Sequence, residues 1–208
     1  MSRRCLVLAT ITAALSMTRP LAAQISIAPA IGVYIPTTEL VQAATGQSYK
    51  QEIAFTVGGR LGINFGRRGG ITGTVTYAPS SLKFSATGSS STTDANILSA
   101  SGRVFVELVP TTSPVSLQLN GGVGLVRRSG AAYANDPDPQ DIGGVVGATL
   151  RFRLGRVLHL ELHAEDYIYK AQYAPSITTP GAFSVANKQL NDVHLGVGVG
   201  IPLVGLGR

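Results

Sequence analysis

Residues 53–65 read IAFTVGGRLGINF, and their alternation decides the fold. Ile53, Phe55, Val57, Leu61, Ile63 and Phe65 share one parity, while Ala54, Thr56, Gly58, Arg60, Gly62 and Asn64 share the other. Successive side chains of a β-strand point to opposite faces, so this segment has one greasy face and one polar face. The chain offers no segment of helical period to cover the greasy face. A bilayer covers it, and the segment predicts one wall strand of a transmembrane β-barrel.

The same pattern recurs on both sides, in eight stretches altogether. The first, about Ile25–Ile35, sets Ile25, Ile27, Ile31, Val33 and Ile35 against Ser26, Ala28, Ala30 and Gly32, and ends at Pro36. The second is the stretch quoted above. The third, about Ile71–Ala78, alternates Ile71, Val75 and Tyr77 with Thr72, Thr74 and Thr76. The fourth, about Asn96–Val109, places Leu98, Ala100, Val104, Val106 and Leu108 outward and Ser99, Ser101, Arg103, Phe105 and Glu107 inward. The remaining four span about Val115–Val126, Ile142–Leu154, Leu158–Tyr169 and Leu190–Leu203. Connectors between the eight alternate long and short. The long ones are Thr37–Gln51, Pro79 to Ala95 with Leu82 and Phe84 extending the strand, Arg127–Asp141, and Lys170–Gln189. Short ones lie at Gly66–Gly70, Pro110–Pro114 and Gly155–Val157. A soluble β-sandwich also alternates in polarity, but its loops do not alternate in length and its outward faces are not this uniformly apolar. The predicted class is therefore all-β: an eight-stranded antiparallel up-and-down transmembrane barrel with short periplasmic turns and long outer loops.

Ahead of the first strand, Arg3 and Arg4 precede the apolar run Cys5–Leu15, and Leu21-Ala22-Ala23 stands before Gln24. This order of charge, apolar core and small residues predicts a signal peptide over 1–23, with the barrel domain over 24–208. Cys5 falls inside that leader, so the mature domain has no thiol chemistry. Without Arg3, Arg4 and Arg19 the chain carries 14 basic residues against 11 acidic, a net charge of +3. Such a small and scattered excess gives no reason to expect nucleic acid as a partner. No cofactor and no metal site is expected.

The stretch His194-Leu195-Gly196-Val197-Gly198-Val199-Gly200-Ile201 has the polar, glycine and apolar spacing of the last strand of small outer-membrane barrels. With the eight-strand pattern, the chain resembles the OmpA/OmpX-like and OmpW-like families of such barrels. It departs from them at Pro202–Arg208, where the customary final aromatic is missing. The resemblance implies residence in the outer membrane of a Gram-negative bacterium, contact with outer-membrane lipid and handling by the barrel-assembly machinery. It also allows a small apolar ligand.

The inward parity supplies the candidate site. A three-residue turn at Gly155–Val157 pairs Leu154 with Leu158, so Arg153 faces His159, Arg151 faces Glu161, Thr149 faces His163 and Gly147 faces Glu165. Arg60, Arg103 and Glu107 add further inward charges, giving a lumen polar network of Arg60, Arg103, Glu107, Arg151, Arg153, His159, Glu161, His163 and Glu165. One reading is a charged gate or narrow porin-like channel for small or apolar solutes. The other is a salt-bridge plug, since eight strands enclose a space only wide enough for side chains. His159 and His163 lie four residues apart on one strand, roughly 13 Å, too far to share an ion. Opposite readings also attach to the small inward wall of Gly196, Gly198 and Gly200 beside Ser26, Ala28, Ala30 and Gly32: either large residues across the barrel fill the space, or it is a slot for a slender apolar ligand. Arg67, Arg68, Arg127 and Arg128 sit where lipid head groups would meet the barrel edge. The acids between Asn135 and Asp141 lack the glycine-punctuated pattern of a calcium loop.

The expected role is non-enzymatic: surface structure, adhesion or surface binding by a monomer. A narrow channel is the alternative. A lipid-modifying outer-membrane enzyme is a second alternative, for which the chain has no His-x-Ser motif.

Overall fold

The computed structural model describes residues 23–38, 41–42, 48–65, 68–86, 89–109, 113–134, 139–155, 157–171 and 188–206. Residues 1–22 of the expected leader 1–23 and residues 172–187 of the connector Lys170–Gln189 lie outside this set, as do Arg67 and residues 135–138. Eight strands close into one antiparallel barrel: β1 (Ala23–Pro36), β4 (Ala54–Phe65), β5 (Gly69–Ala78), β8 (Asn96–Val109), β9 (Val115–Ser129), β10 (Gln140–Leu154), β11 (Leu158–Ala171) and β12 (Lys188–Leu206). Each is joined in register to its chain neighbour, and β1 closes the circle against β12. All eight are long enough for the 9–11 residues that a tilted strand needs to cross a bilayer.

Polarity is inverted relative to a soluble domain. Val104 and Val123 are each 66% exposed and Ile142 is 75% exposed, whereas Arg60, Arg103, Glu161 and Glu165 are buried. The pleat produces this sorting directly, because the quoted parity of 53–65 sends Phe55, Val57, Leu61 and Phe65 outward and Thr56 and Arg60 inward. Lipid is the medium that such an outer face requires. Phe65 and Tyr77 are exposed on the outside.

The turn at 155–157 has the expected register, with Leu154 opposite Leu158 and Arg151 opposite Glu161. Gly155 takes a φ of 82°, a left-handed conformation that a residue with a side chain adopts at a cost.

The long connectors depart from the expectation of plain loops. Four short strands, β2 (Val41–Gln42), β3 (Ser48–Gln51), β6 (Ser81–Ala86) and β7 (Ser89–Asp94), form a second antiparallel sheet in the order β2-β3-β6-β7. The Ser/Thr-rich stretch read as a connector is thus the β6–β7 hairpin. Its polar side chains hide a strand signal that backbone pairing satisfies all the same. This sheet stands on the long-connector end of the barrel. Tyr49 stacks on Phe84 at 4.8 Å, and the Gln51 amide donates to the Ala95 carbonyl (2.7 Å) and the Ser80 hydroxyl (3.0 Å). Tyr133, on the 3-10 turn Ala131–Tyr133, donates its hydroxyl to Gln51 Oε1 at 3.0 Å, tying a third connector to the same point.

A second correction concerns Arg127–Asp141. β9 continues to Ser129 and β10 begins at Gln140, so Arg128 and Asp141 are wall residues of inward parity. Arg128 is buried and faces the interior, not the head groups.

Candidate functional site

The lumen is filled in three layers. Nearest the short-turn end is the charged layer. Glu165 of β11 takes Arg60 Nη2 at 2.5 Å and Arg103 Nη1 at 2.8 Å. Glu161 takes Arg151 Nε at 2.7 Å, His159 Nε2 at 3.0 Å and Arg60 Nη1 at 3.6 Å. Glu107 accepts from Gln118 Nε2 at 2.8 Å and lies 3.6 Å from Arg151 Nη1. Neutral side chains complete the shells: Arg60 donates to Thr149 Oγ1 (2.8 Å), and Arg103 to Asn120 Oδ1 (2.9 Å) and to Thr74 Oγ1. Three guanidiniums and three carboxylates cancel, and this is the condition for holding charge away from water.

Of the predicted network, Arg60, Arg103, Glu107, Arg151, Glu161, Glu165 and His163 are buried together, and His159 is half-buried at its edge. Arg153 differs. It is exposed at the rim, opposite His159, because β10 ends one residue later.

The small wall of β12 is matched by a neighbouring strand and not across the barrel. A Cβ added to Gly196 would fall 2.3 Å from His163 Nε2, and one on Gly200 would fall 1.9 Å from His159 Nε2. The two imidazoles lie in the space that glycine leaves, each beside its cross-strand partner.

The middle layer is aromatic. His194 of β12 sits between Tyr34 and Tyr167, with ring centroids at 5.3 Å and 5.0 Å, and its Nε2 is 3.3 Å from Ser99 Oγ. Tyr167 donates to Ser101 Oγ at 3.2 Å. The third layer was missed in the sequence. Arg128 bonds Asp141 and the Tyr169 hydroxyl, Tyr169 bonds Asp192, and the Arg128 guanidinium lies 5.1 Å from the Tyr169 ring. Ile97, Val126, Val145 and Leu190 pack around it. Extending the inward parity of the fifth stretch two residues past Val126 would have found Arg128, and Tyr169 already stood at the inward end of the seventh stretch; the apolar inward residues break the polar-inside rule and gave no such signal.

Below the charged layer the barrel opens into a vestibule at the short-turn end, about 570 Å³ in volume, lined by residues including Gln24, Asn64, Ser116, Arg151, Arg153 and His159.

These features place the chain among known structures. The barrel is similar to the crystal structure of outer membrane protein OprG from Pseudomonas aeruginosa, with a TM-score of 0.62, 14% identity and coverage of 88% of this chain and 97% of that one. It is also similar to the outer membrane protein AlkL solved in DMPC lipid bilayers, with a TM-score of 0.55, 14% identity and coverage of 93% and 95%. The chain has the fold of the small eight-stranded outer-membrane barrels. No family model and no curated protein sequence matches it. At this identity the likeness is one of fold, and function has to be argued from the lumen and the surface.

Proposed function

We propose that this protein is a monomeric, non-enzymatic outer-membrane barrel with a closed lumen, acting through the surface that its long connectors present outside the cell. The observation that carries this reading is the charged layer, in which Arg60, Arg103 and Arg151 reach across the lumen to Glu161, Glu165 and Glu107. A hydrated path has to break several of these charge-assisted bonds at once, each about twice as strong as a neutral one. The aromatic layer adds a second seal with Tyr34, Tyr167 and His194 all buried. The outer sheet β2-β3-β6-β7 is the surface such a barrel offers to a partner, with Lys50, Lys83, Ser90, Ser91 and Thr92 exposed. Under this reading the 1–23 leader directs export, the assembly machinery inserts the barrel, and lipid surrounds it.

An enzymatic reading would start from the Ser99–His194 contact. Ser99 is fully buried, and His194 Nδ1 has no hydrogen-bond partner where a catalytic carboxylate would orient the ring.

Planar-bilayer recording of the refolded protein tests the proposal. The wild type is expected to show no steady single-channel conductance, and the double variant Arg60→Ala, Arg103→Ala, which removes the cross-lumen guanidiniums, is expected to conduct. A steady wild-type conductance would sink the closed-lumen reading.

A further inference from the structure

At the long-connector rim, strands β9 to β12 each place one polar side chain on the lipid-facing parity: Arg127, Gln140, Lys170 and Gln189, all exposed. Pairing sets them side by side, with Arg127 opposite Gln140 and Lys170 opposite Gln189. Arg128, one residue along, turns into the lumen instead. The opposite side of the same rim is apolar, with Ile53, Phe55 and Tyr77 exposed on and beside β4 and β5. Directly beneath the polar row the outer wall carries a groove of about 660 Å³, with Leu125, Ile142 and Ile168 below and Gln140, Lys170 and Gln189 along its upper edge. Asp141 borders this groove, but its carboxylate is buried against Arg128. The outward carboxylate of β11, Asp166, accepts from Asn191 Nδ2 at 3.3 Å. It stands four residues below Lys170, about 13 Å along the strand. The upper edge thus presents cations and amides with no carboxylate among them.

The groove continues away from the rim. It shares Leu125 and Ile142 with a second apolar groove, about 620 Å³, that crosses the outer wall over Ala100, Gly102, Val75 and Gly59. Ile142 is the third residue of β10, while Gly59 lies halfway along β4, so the trench starts near the rim and runs into the middle of the wall. Its course from β10 to β4 covers four strand spacings, about 19 Å. Half the hydrocarbon core of a bilayer is about 15 Å, so one extended acyl chain of one leaflet fits that length. At Gly102 a side chain would meet no atom within 4 Å, and the trench is open there. A cationic edge above an apolar trench has the shape and charge of an anionic amphiphile. We propose that this strip of wall binds one lipid whose head group carries an anionic phosphate. Arg127 and Lys170 hold its phosphate oxygens, Gln140 and Gln189 donate to the remaining head-group oxygens, and one acyl chain lies over Ile142 and Gly102. Only two strand spacings, about 10 Å, separate β9 from β11, and two such long side chains meet a single phosphate between them. The orientation proposed above, long connectors outside, decides only which leaflet supplies the lipid, and a closed lumen is not required.

Native mass spectrometry of the detergent-folded barrel, in micelles doped with dipalmitoyl phosphatidylglycerol, tests the site. Dipalmitoyl phosphatidylcholine is the comparison, with the same chains and a zwitterionic head. One retained phosphatidylglycerol is expected, held about tenfold more strongly than phosphatidylcholine. The double variant Arg127→Gln, Lys170→Gln should bring phosphatidylglycerol down to the level of phosphatidylcholine while keeping the heat-modifiable gel shift of a folded barrel, and each single variant should lose part of the difference. Gly102→Leu, which fills the trench and keeps both cations, should reduce retention of both lipids. Lys50→Gln with Lys83→Gln removes the same charge from the outer sheet and should leave retention at the wild-type level. Equal retention of the two lipids by the wild type, retention unmoved in the folded rim or trench variants, or retention lost with Lys50 and Lys83 would each overturn the proposal. So would displacement of the lipid by excess inorganic phosphate, which would make this a site for a free anion. A conducting wild type would sink the closed-lumen reading and leave these outcomes untouched, so the two failures are separable.

Discussion

The two halves of the lumen are filled by different physics. In the short-turn half, every buried charge of the plug has a named opposite: Glu165 with Arg60 and Arg103, Glu161 with Arg151 and Arg60. In the long-connector half, one guanidinium, Arg128, serves two tyrosine- and carboxylate-bearing walls, and apolar side chains such as Ile97, Val126 and Leu190 fill the rest. The first half is specific and unforgiving, because removing one charge strands another where water cannot reach. The second is tolerant, because burial is roughly additive and one lost bond leaves the packing in place. A barrel filled this way tolerates change in its long-connector half better than in its charged half.

The largest effect should come from breaking the charged half at its centre. Glu165→Gln leaves Arg60 and Arg103 without the carboxylate they share and is expected to destabilise the folded barrel by about 3–5 kcal/mol, read from urea unfolding in detergent or lipid. An unchanged midpoint would show that water enters the plug and screens the pair. Next comes the outside wall. Val123→Arg places a charge on the lipid face, and a cost of about 2–4 kcal/mol is expected in bilayers if the position lies near the membrane midplane. In the long-connector half, Tyr169→Phe removes the hydroxyl joining Arg128 to Asp192. The expected loss is about 1.5–3 kcal/mol, smaller than for Glu165→Gln, measured by the same unfolding experiment. A Tyr169→Phe cost exceeding that of Glu165→Gln would reverse the ranking of the two halves. Smallest of all is Lys83→Gln on the outer sheet, expected to move stability by no more than about 0.5 kcal/mol, since Lys83 is an exposed surface side chain.

Much of this was readable beforehand wherever a residue's position follows from its own strand. The parity of 53–65 put Arg60 inside and Phe65 outside, and the odd turn at 155–157 set Arg151 against Glu161. Reading failed where parity lost its chemical contrast. β7 is polar on both faces, so Ser89–Asp94 looked like a loop. Arg128 looked like a rim cation because β9 was ended at Val126, three residues before its last residue. The glycines of β12 carried a steric message, but nothing in the one-dimensional pattern said whether the filler came from across the barrel or from β11 next door.

The sequence by itself determined the number of barrel strands, their alternating connectors and which side chains within the expected strands face the lumen, because a two-residue pleat is a local property of the chain and a greasy face has to find lipid. Only the tertiary structure decided that Arg60 meets Glu165, 105 positions away, and that Arg128 turns inward. It also decided that His159 and His163 lie over glycines of the adjacent strand. Contacts across a closed barrel depend on strand tilt and on the stagger at which β1 meets β12, quantities set by the whole circle of strands at once and by no single one of them.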